Sequence, residues 1–137
     1  MRRQRYSTSM GDIVYWVSRS EESERPWLVF LPGLTADHRL FEKQTDYFAG
    51  KANLLVWDAP SHGESRSFAL DWSLDDLARW LHDILEQEGI VRPILIGQSM
   101  GGYLAQAYLD LFPGEVAGFV SIDSCPLQRS YYSGWEL

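Results

Sequence analysis

Short apolar runs alternate with longer amphipathic segments along this chain. Apolar or β-branched character predicts strands in five segments. These segments are 12–17, 27–31, 53–58, 93–96 and 116–122. A sixth strand is expected near 4–9, where it would pair with the segment at 12–17. The run at 116–122 is as apolar as a central strand. If the chain ends at Leu137, we expect this strand to be an edge with exposed hydrogen-bonding groups, unless another segment covers it.

Three segments between these strands have helical periodicity. Residues 36–49 carry spaced apolar positions, and residues 73–88 begin with a Ser-x-x-Asp capping pattern followed by one apolar stripe. Residues 100–111 also carry apolar positions along one side. Because crossover helices must cover the faces of a parallel sheet, the alternation predicts the α/β class. We expect a three-layer, mostly parallel sheet with flanking helices.

Composition limits the class of protein further. The chain has 137 residues, with 12 Lys and Arg against 19 Asp and Glu and a net charge of −7. This length suits one domain over 1–137. The acidic balance disfavours nucleic-acid partners, and no apolar run approaches the ~20 residues that cross a bilayer. Cys125 is the one cysteine, so we expect no internal disulfide and a cytoplasmic protein.

The segment Gly97-Gln98-Ser99-Met100-Gly101 is a G-x-S-x-G motif between a predicted strand and a predicted helix. Presenting a serine above a sheet edge requires a strained turn, in which small residues are needed two positions before and after it. Gly97 and Gly101 meet that need. The helix start then aims free N–H groups at the position of a developing oxyanion, with Met100 as the first donor.

Other glycine-loop sites fit this segment less well. No lysine follows it, as a phosphate-binding P-loop requires, and the G-x-G-x-x-G spacing of a dinucleotide site is absent. We therefore expect neither a cofactor nor a metal, and a small-molecule acyl substrate as the partner.

Two further segments complete a resemblance to the α/β-hydrolase family. Leu31-Pro32-Gly33-Leu34 is similar to the family's oxyanion loop, although many members carry histidine at the position of Pro32. The stretch 58–65 resembles the D-x-P-x-H-G-x-S sequence after the family's fourth strand. The resemblance implies an α/β-hydrolase fold with Ser99 as nucleophile and the Leu34 N–H as second oxyanion donor.

The triad order that the resemblance implies is serine, acid, histidine, but no histidine follows Ser99. Upstream, we expect His82 to be solvated and His62 to stabilise a turn. His38 and Gln98 are candidates to line a substrate pocket. Asp123 ends the predicted strand at the sheet edge of Ser99, where some family members carry the acid, although more carry it after the following strand.

These features imply a serine hydrolase of small esters, thioesters or related acyl compounds that acts through an acyl-enzyme on Ser99. We expect the histidine, and with it the acid, to lie beyond this chain, which would be the N-terminal part of a longer hydrolase. The aromatic segment within 126–137 then begins a lid. Alone, the chain is expected to be inactive and to associate through its uncovered sheet edge. A non-catalytic binding protein and a C–C hydrolase, lyase or haloperoxidase-like enzyme stay open as alternatives.

Overall fold

The computed structural model describes residues 1–22 and 24–126, which form one mixed sheet with helices on both faces. The predicted α/β class and three-layer architecture are confirmed. The six strands are β1 (Arg2–Thr8), β2 (Gly11–Ser18), β3 (Trp27–Leu31), β4 (Asn53–Trp57), β5 (Ile94–Gln98) and β6 (Gly118–Ile122). The three α-helices are α1 (Glu42–Phe48), α2 (Leu74–Gln87) and α3 (Met100–Leu111). Short 3-10 turns cover His38–Phe41 and Gly63–Ser65.

The sheet order is β1-β2-β4-β3-β5-β6. The two pairs β1/β2 and β2/β4 are antiparallel, and the remaining pairs β4/β3, β3/β5 and β5/β6 are parallel. The carboxyl ends of β3, β4, β5 and β6 therefore meet at one edge of the sheet, where ligand sites of open α/β sheets form.

The two faces of the sheet bury different helices. One face packs against α2 and α3 in the larger core, which includes Trp57 of β4 and Leu81 and Leu104 of the two helices. The opposite face packs against Phe41 and Phe48, which border or belong to α1. Because alternate strand residues face opposite layers, strands that are apolar throughout match this double coverage.

The local signals that predict α2 correspond to specific contacts. The Ser73 hydroxyl accepts the Asp76 N–H at 3.1 Å, and the Asp76 carboxylate accepts the Ser73 N–H at 2.9 Å. This reciprocal cap satisfies two of the N–H groups that a helix start leaves without partners. The apolar stripe of α2 is buried.

At the end of the sheet, β6 begins at Gly118, two residues later than the sequence pattern predicts. It is the edge strand of the described sheet, and Val120 and Ile122 are 45% and 37% exposed. No helix in the described ranges combines the length and apolar character that crossing a membrane requires. Apart from Pro126, the predicted lid segment 126–137 lies outside the described residues.

Candidate active site

Ser99 lies in a sharp turn between the last residue of β5 and the first residue of α3. Its backbone has φ 54° and ψ −117°, a positive-φ conformation that is uncommon for residues other than glycine. Its N–H donates to the carbonyl of Ile122 at 2.8 Å, which ties the turn to β6. The turn therefore stays in a strained conformation because neighbouring strands and the helix hold it.

The two flanking glycines are required by backbone crowding. A Cβ on Gly97 would lie 2.6 Å from the Gly102 nitrogen, and one on Gly101 would lie 2.7 Å from the carbonyl carbon of Leu31. Both neighbours are backbone atoms, which cannot rotate away. The requirement for small residues on each side of Ser99 thus has a specific steric origin in helix–strand packing.

Three polar groups at or next to this turn have no hydrogen-bond partner in the part of the chain that the structure describes. Within residues 1–22 and 24–126, no hydrogen bond joins the Ser99 hydroxyl or the N–H groups of Met100 and Leu34 to another residue. Met100 opens the 12-residue helix α3, so its N–H lies at the positive end of the helix dipole. Together these groups offer a hydroxyl nucleophile and N–H donors for a developing oxyanion.

The loop that carries Leu34 is attached to the turn through Gln98. The Gln98 side-chain oxygen accepts the Gly33 N–H at 3.0 Å. The Gln98 Nε2 has no acceptor among the residues that the structure describes. The sequence predicts Gln98 only as a pocket residue, and the order of residues gives no signal for its bond to a glycine 65 positions away.

Asp123 lies beside Ser99 across the β5/β6 pair. The register joins Gln98 to Ile122, so the residues that follow them occupy corresponding positions at the same edge. Asp123 is exposed and has φ 52°, so it is another non-glycine residue with positive φ at this edge. The next residues pack on α3, where the Gln106 amide donates to the Cys125 carbonyl at 2.9 Å. Positive φ at non-glycine residues is typical of functional positions.

His38 is held away from Ser99 by a buried carboxylate. Its Nδ1 lies 2.9 Å from Asp58 Oδ1, and its ring stacks on Trp16 of β2 at 3.7 Å. Asp58 follows β4, and β3 separates β4 from β5. Two strand spacings put the Asp58 backbone about 10 Å from that of Ser99. His38 borders a cavity of about 450 Å³, and Ser99 is not among its lining residues.

The other two histidines have partners elsewhere. His62 Nδ1 lies 3.0 Å from the Pro60 carbonyl inside its own turn. The expectation that His82 is solvated is wrong, because its side chain is only 18% exposed. The ring of His82 stacks on Phe112 at 3.9 Å, and its Nε2 lies 3.0 Å from Glu115. The periodicity of α2 does not predict this burial, because the covering residue, Phe112, lies at the end of α3.

Asp37 adds a charged group beside the Asp58 cluster. Hydrogen bonds from the Arg39 side chain hold the pKa of the Asp37 carboxyl at about 2, below its ordinary value of 3.8. Asp37, His38 and Asp58 are close enough together to hold a cation. However, the Asp58 oxygens already accept the N–H groups of His38 and Glu64. We therefore interpret this group as a structural hydrogen-bonded cluster.

Comparison with known proteins gives relatives of one fold. The family model described as alpha/beta hydrolase fold matches residues 26–135. A 2-succinyl-6-hydroxy-2,4-cyclohexadiene-1-carboxylate synthase of Escherichia coli O1:K1 is 34% identical over 95 residues, which are 69% of this chain and 37% of the synthase. The Magnesium-chelatase 30 kDa subunit of Rhodobacter capsulatus is 32% identical over 111 residues, which are 80% of this chain and 39% of the subunit.

A solved structure agrees with these relatives. An alpha/beta hydrolase from Novosphingobium aromaticivorans is 27% identical, has a TM-score of 0.78 and matches over 88% of this chain and 43% of its own. The chain thus spans less than half the length of these proteins. The family model matches most of the chain, so the chain belongs to the alpha/beta hydrolase fold family.

Proposed function

We propose that this protein is a serine hydrolase that cleaves a small ester, thioester or related acyl compound through an acyl-enzyme on Ser99. The observation that carries the proposal is the strained turn at Ser99, whose hydroxyl has no partner among the described residues. The unbonded Met100 and Leu34 N–H groups supply the second element of acyl transfer, because they can bind the oxyanion.

In this mechanism the Ser99 Oγ attacks the acyl carbon and its proton passes to a base. The carbonyl oxygen becomes an oxyanion that accepts the Met100 and Leu34 N–H groups. Collapse expels the alcohol or thiol, and water then hydrolyses the ester on Ser99. Since none of the three histidines bonds to Ser99, we propose that the base comes from sequence beyond the 137 residues. The acid comes from there as well, with Asp123 as the alternative acid.

The experiment is a substrate panel with acyl-enzyme trapping. The protein with the sequence that follows Leu137 is incubated with p-nitrophenyl esters, thioesters and lactones, then quenched and digested. We expect a burst of the leaving group and one acyl group on the peptide that contains Ser99. Turnover without acylation of that peptide, or no turnover of any acyl compound by the folded protein, would contradict the proposal.

A second candidate function is lyase chemistry at the same serine. It is favoured by the 34% identity to a protein named as a synthase of a cyclohexadiene carboxylate, because fold and nucleophile do not determine the reaction. Incubation with 2-succinylated cyclohexene carboxylates separates the two functions. Loss of a ring substituent as the leaving group, with formation of a ring double bond and no consumption of water, identifies a lyase. Acylation of Ser99 by the esters or thioesters of the panel, followed by uptake of water, identifies a hydrolase.

The 137 residues without further sequence are expected to behave differently from the whole enzyme. We propose that the 137-residue chain is inactive, since none of its three histidines bonds to Ser99, and that it self-associates through β6. The exposed Val120 and Ile122 and the open edge of β6 support this association. Light scattering over a range of concentrations tests it. A non-catalytic binding protein would be indicated if Ser99→Ala left ligand binding intact and no variant of the protein turned over any acyl compound.

A further inference from the structure

The hydrogen bond between Gln98 and Gly33 connects two parts of the candidate site that are far apart in sequence. Gln98 ends β5 and directly precedes Ser99. Its side-chain oxygen accepts the Gly33 N–H at 3.0 Å. The residue after Gly33 is Leu34, whose N–H is the second proposed oxyanion donor. One side chain therefore links the backbone of the nucleophile to the backbone of the donor.

Close packing makes this link sensitive to small displacements. A Cβ on Gly33 would lie 2.7 Å from the Gln98 carbonyl oxygen and 3.0 Å from the Ser99 Cβ. The loop thus approaches the turn as closely as its backbone allows. No Gly33 side chain is available to fix the loop, and the Leu34 side chain is 60% exposed. Among the described residues, the Gln98 side-chain oxygen is the acceptor of the Gly33 N–H.

We propose that Gln98 is a positioning residue that places the Leu34 N–H for the oxyanion. This inference rests on the proposed serine mechanism. A donor acts on the oxyanion only within about 2.7–3.1 Å, and a misplacement of about 1 Å costs about a hundredfold in rate. Loss of the Gln98 acceptor should therefore lower kcat and leave ground-state binding of the substrate nearly unchanged.

The first arm of the experiment needs only the folded 137-residue chain. Amide hydrogen exchange of Gly33 is measured by NMR in the parent chain and in Gln98→Met, Gln98→Asn and Gln98→Glu. Methionine has no amide acceptor, asparagine is one methylene too short, and glutamate keeps an acceptor. We expect exchange at least about tenfold faster in the first two variants and protection retained in Gln98→Glu. Gln87→Met is the matched control, because Gln87 donates to the Tyr15 hydroxyl far from this site.

The second arm measures kinetics in the protein that extends past Leu137. Gln98→Met should lower kcat by about 10- to 100-fold with KM within about twofold. In a Leu34→Pro background, which lacks the donor N–H, the same change should lower kcat by less than about threefold. Gln98→Asn replaces Gln98→Met in this cycle if the methionine variant does not fold.

The outcomes separate this inference from the proposed function. Unchanged Gly33 exchange in both Gln98→Met and Gln98→Asn would overturn it, as would an equal loss of kcat with and without the Leu34 N–H. If Ser99→Ala keeps full activity, the serine mechanism fails while the exchange result still reports whether Gln98 holds the loop.

Discussion

Two polar clusters lie at the same edge of the sheet, one after β4 and one after β5. In the first, the fully buried Asp58 carboxylate accepts the His38 N–H at 2.7 Å and the Glu64 N–H at 2.8 Å, and His38 Nδ1 lies 2.9 Å from it. In the second, the Ser99 hydroxyl and the adjacent Met100 N–H have no partner among the described residues. We call the Asp58 cluster closed, because its polar groups bond to one another, and the Ser99 cluster open, because its groups have no partner among the described residues.

The two clusters differ in whether their polar groups are occupied by internal hydrogen bonds or left accessible. Asp58 is fully buried, where polar groups are nearly always hydrogen-bonded, so its contacts stabilise the fold. Ser99 is only half-buried, so its hydroxyl, which has no partner among the described residues, is accessible to a ligand. Two serines show the same contrast. Ser61 and Ser99 both have positive φ, 73° and 54°. The Ser61 hydroxyl accepts from Trp72 Nε1 at 3.2 Å, whereas the Ser99 hydroxyl is unbonded within the described ranges.

The largest expected effect separates these two serines. In the protein that extends past Leu137, called the extended protein below, Ser99→Ala should lower kcat by about a thousandfold or more, because the attacking atom is removed. Ser61→Ala, the matched variant, removes a structural hydroxyl and should leave kcat within about twofold while costing about 1 kcal/mol of unfolding free energy. Steady-state kinetics and urea titrations measure both. Equal losses of activity in the two variants would remove the distinction between open and closed clusters.

The next effect is on stability in the closed cluster. Asp58→Ala should lower the free energy of unfolding by about 3–5 kcal/mol, because it leaves the His38 and Glu64 N–H groups without their acceptor in a buried site. Asp58→Asn keeps one acceptor oxygen and should cost less. Chemical denaturation of the 137-residue chain provides the measurement. A cost below about 1 kcal/mol for Asp58→Ala would show that water or other groups replace the carboxylate.

A smaller effect tests the backbone beneath the open cluster. Gly101→Ala should cost about 2–3 kcal/mol of unfolding free energy, since its Cβ would press on the carbonyl of Leu31. Gly118→Ala is the matched control, because a Cβ there would lie 3.7 Å from Ile94 at ordinary contact distance. If thermal denaturation shows equal costs for both variants, the close approach of α3 to β3 is not what holds the turn.

The smallest effect concerns acid. The pKa of Asp37 is about 2 in the folded protein and 3.8 ordinarily, so the unfolded state binds this proton first. The stabilisation from this carboxyl is complete above about pH 4 and is lost as pH falls toward 2. Asp37→Asn should therefore have a melting temperature that falls less steeply than the parent between pH 4 and 2. Parallel pH profiles of the two proteins would contradict the role of Arg39.

The fold could be predicted because burial of strands and helices leaves a local signal. The runs that predict β3 at 27–31 and α3 at 100–111 match the observed bounds. Apolar strands between amphipathic helices permit few arrangements, since each helix must cover a face of the sheet. The later start of β6 arises at the edge of the described sheet, where β5 is the neighbour that determines how far pairing extends.

The site could be predicted only in part. The strained turn at Ser99 requires small residues on both sides, so Gly97 and Gly101 indicate it in the sequence. Parallel pairing of the strands predicts that Asp123 lies at the same edge. The sequence does not predict that Gln98 bonds to Gly33 or that His38 bonds to Asp58. These residues are far apart in sequence, and the order of the strands in the sheet brings them together. The pattern of apolar positions reports which face a residue occupies, and it does not report which polar group lies opposite.

Fluorophosphonate labelling shows whether Ser99 is a reactive nucleophile. The extended protein is labelled with the probe, digested and mapped by mass spectrometry, with Ser61→Ala and Ser99→Ala as paired variants. We expect modification of the peptide containing Ser99 in the parent and in Ser61→Ala, and none in Ser99→Ala. A folded protein that turns over acyl substrates while Ser99 stays unmodified would contradict this expectation.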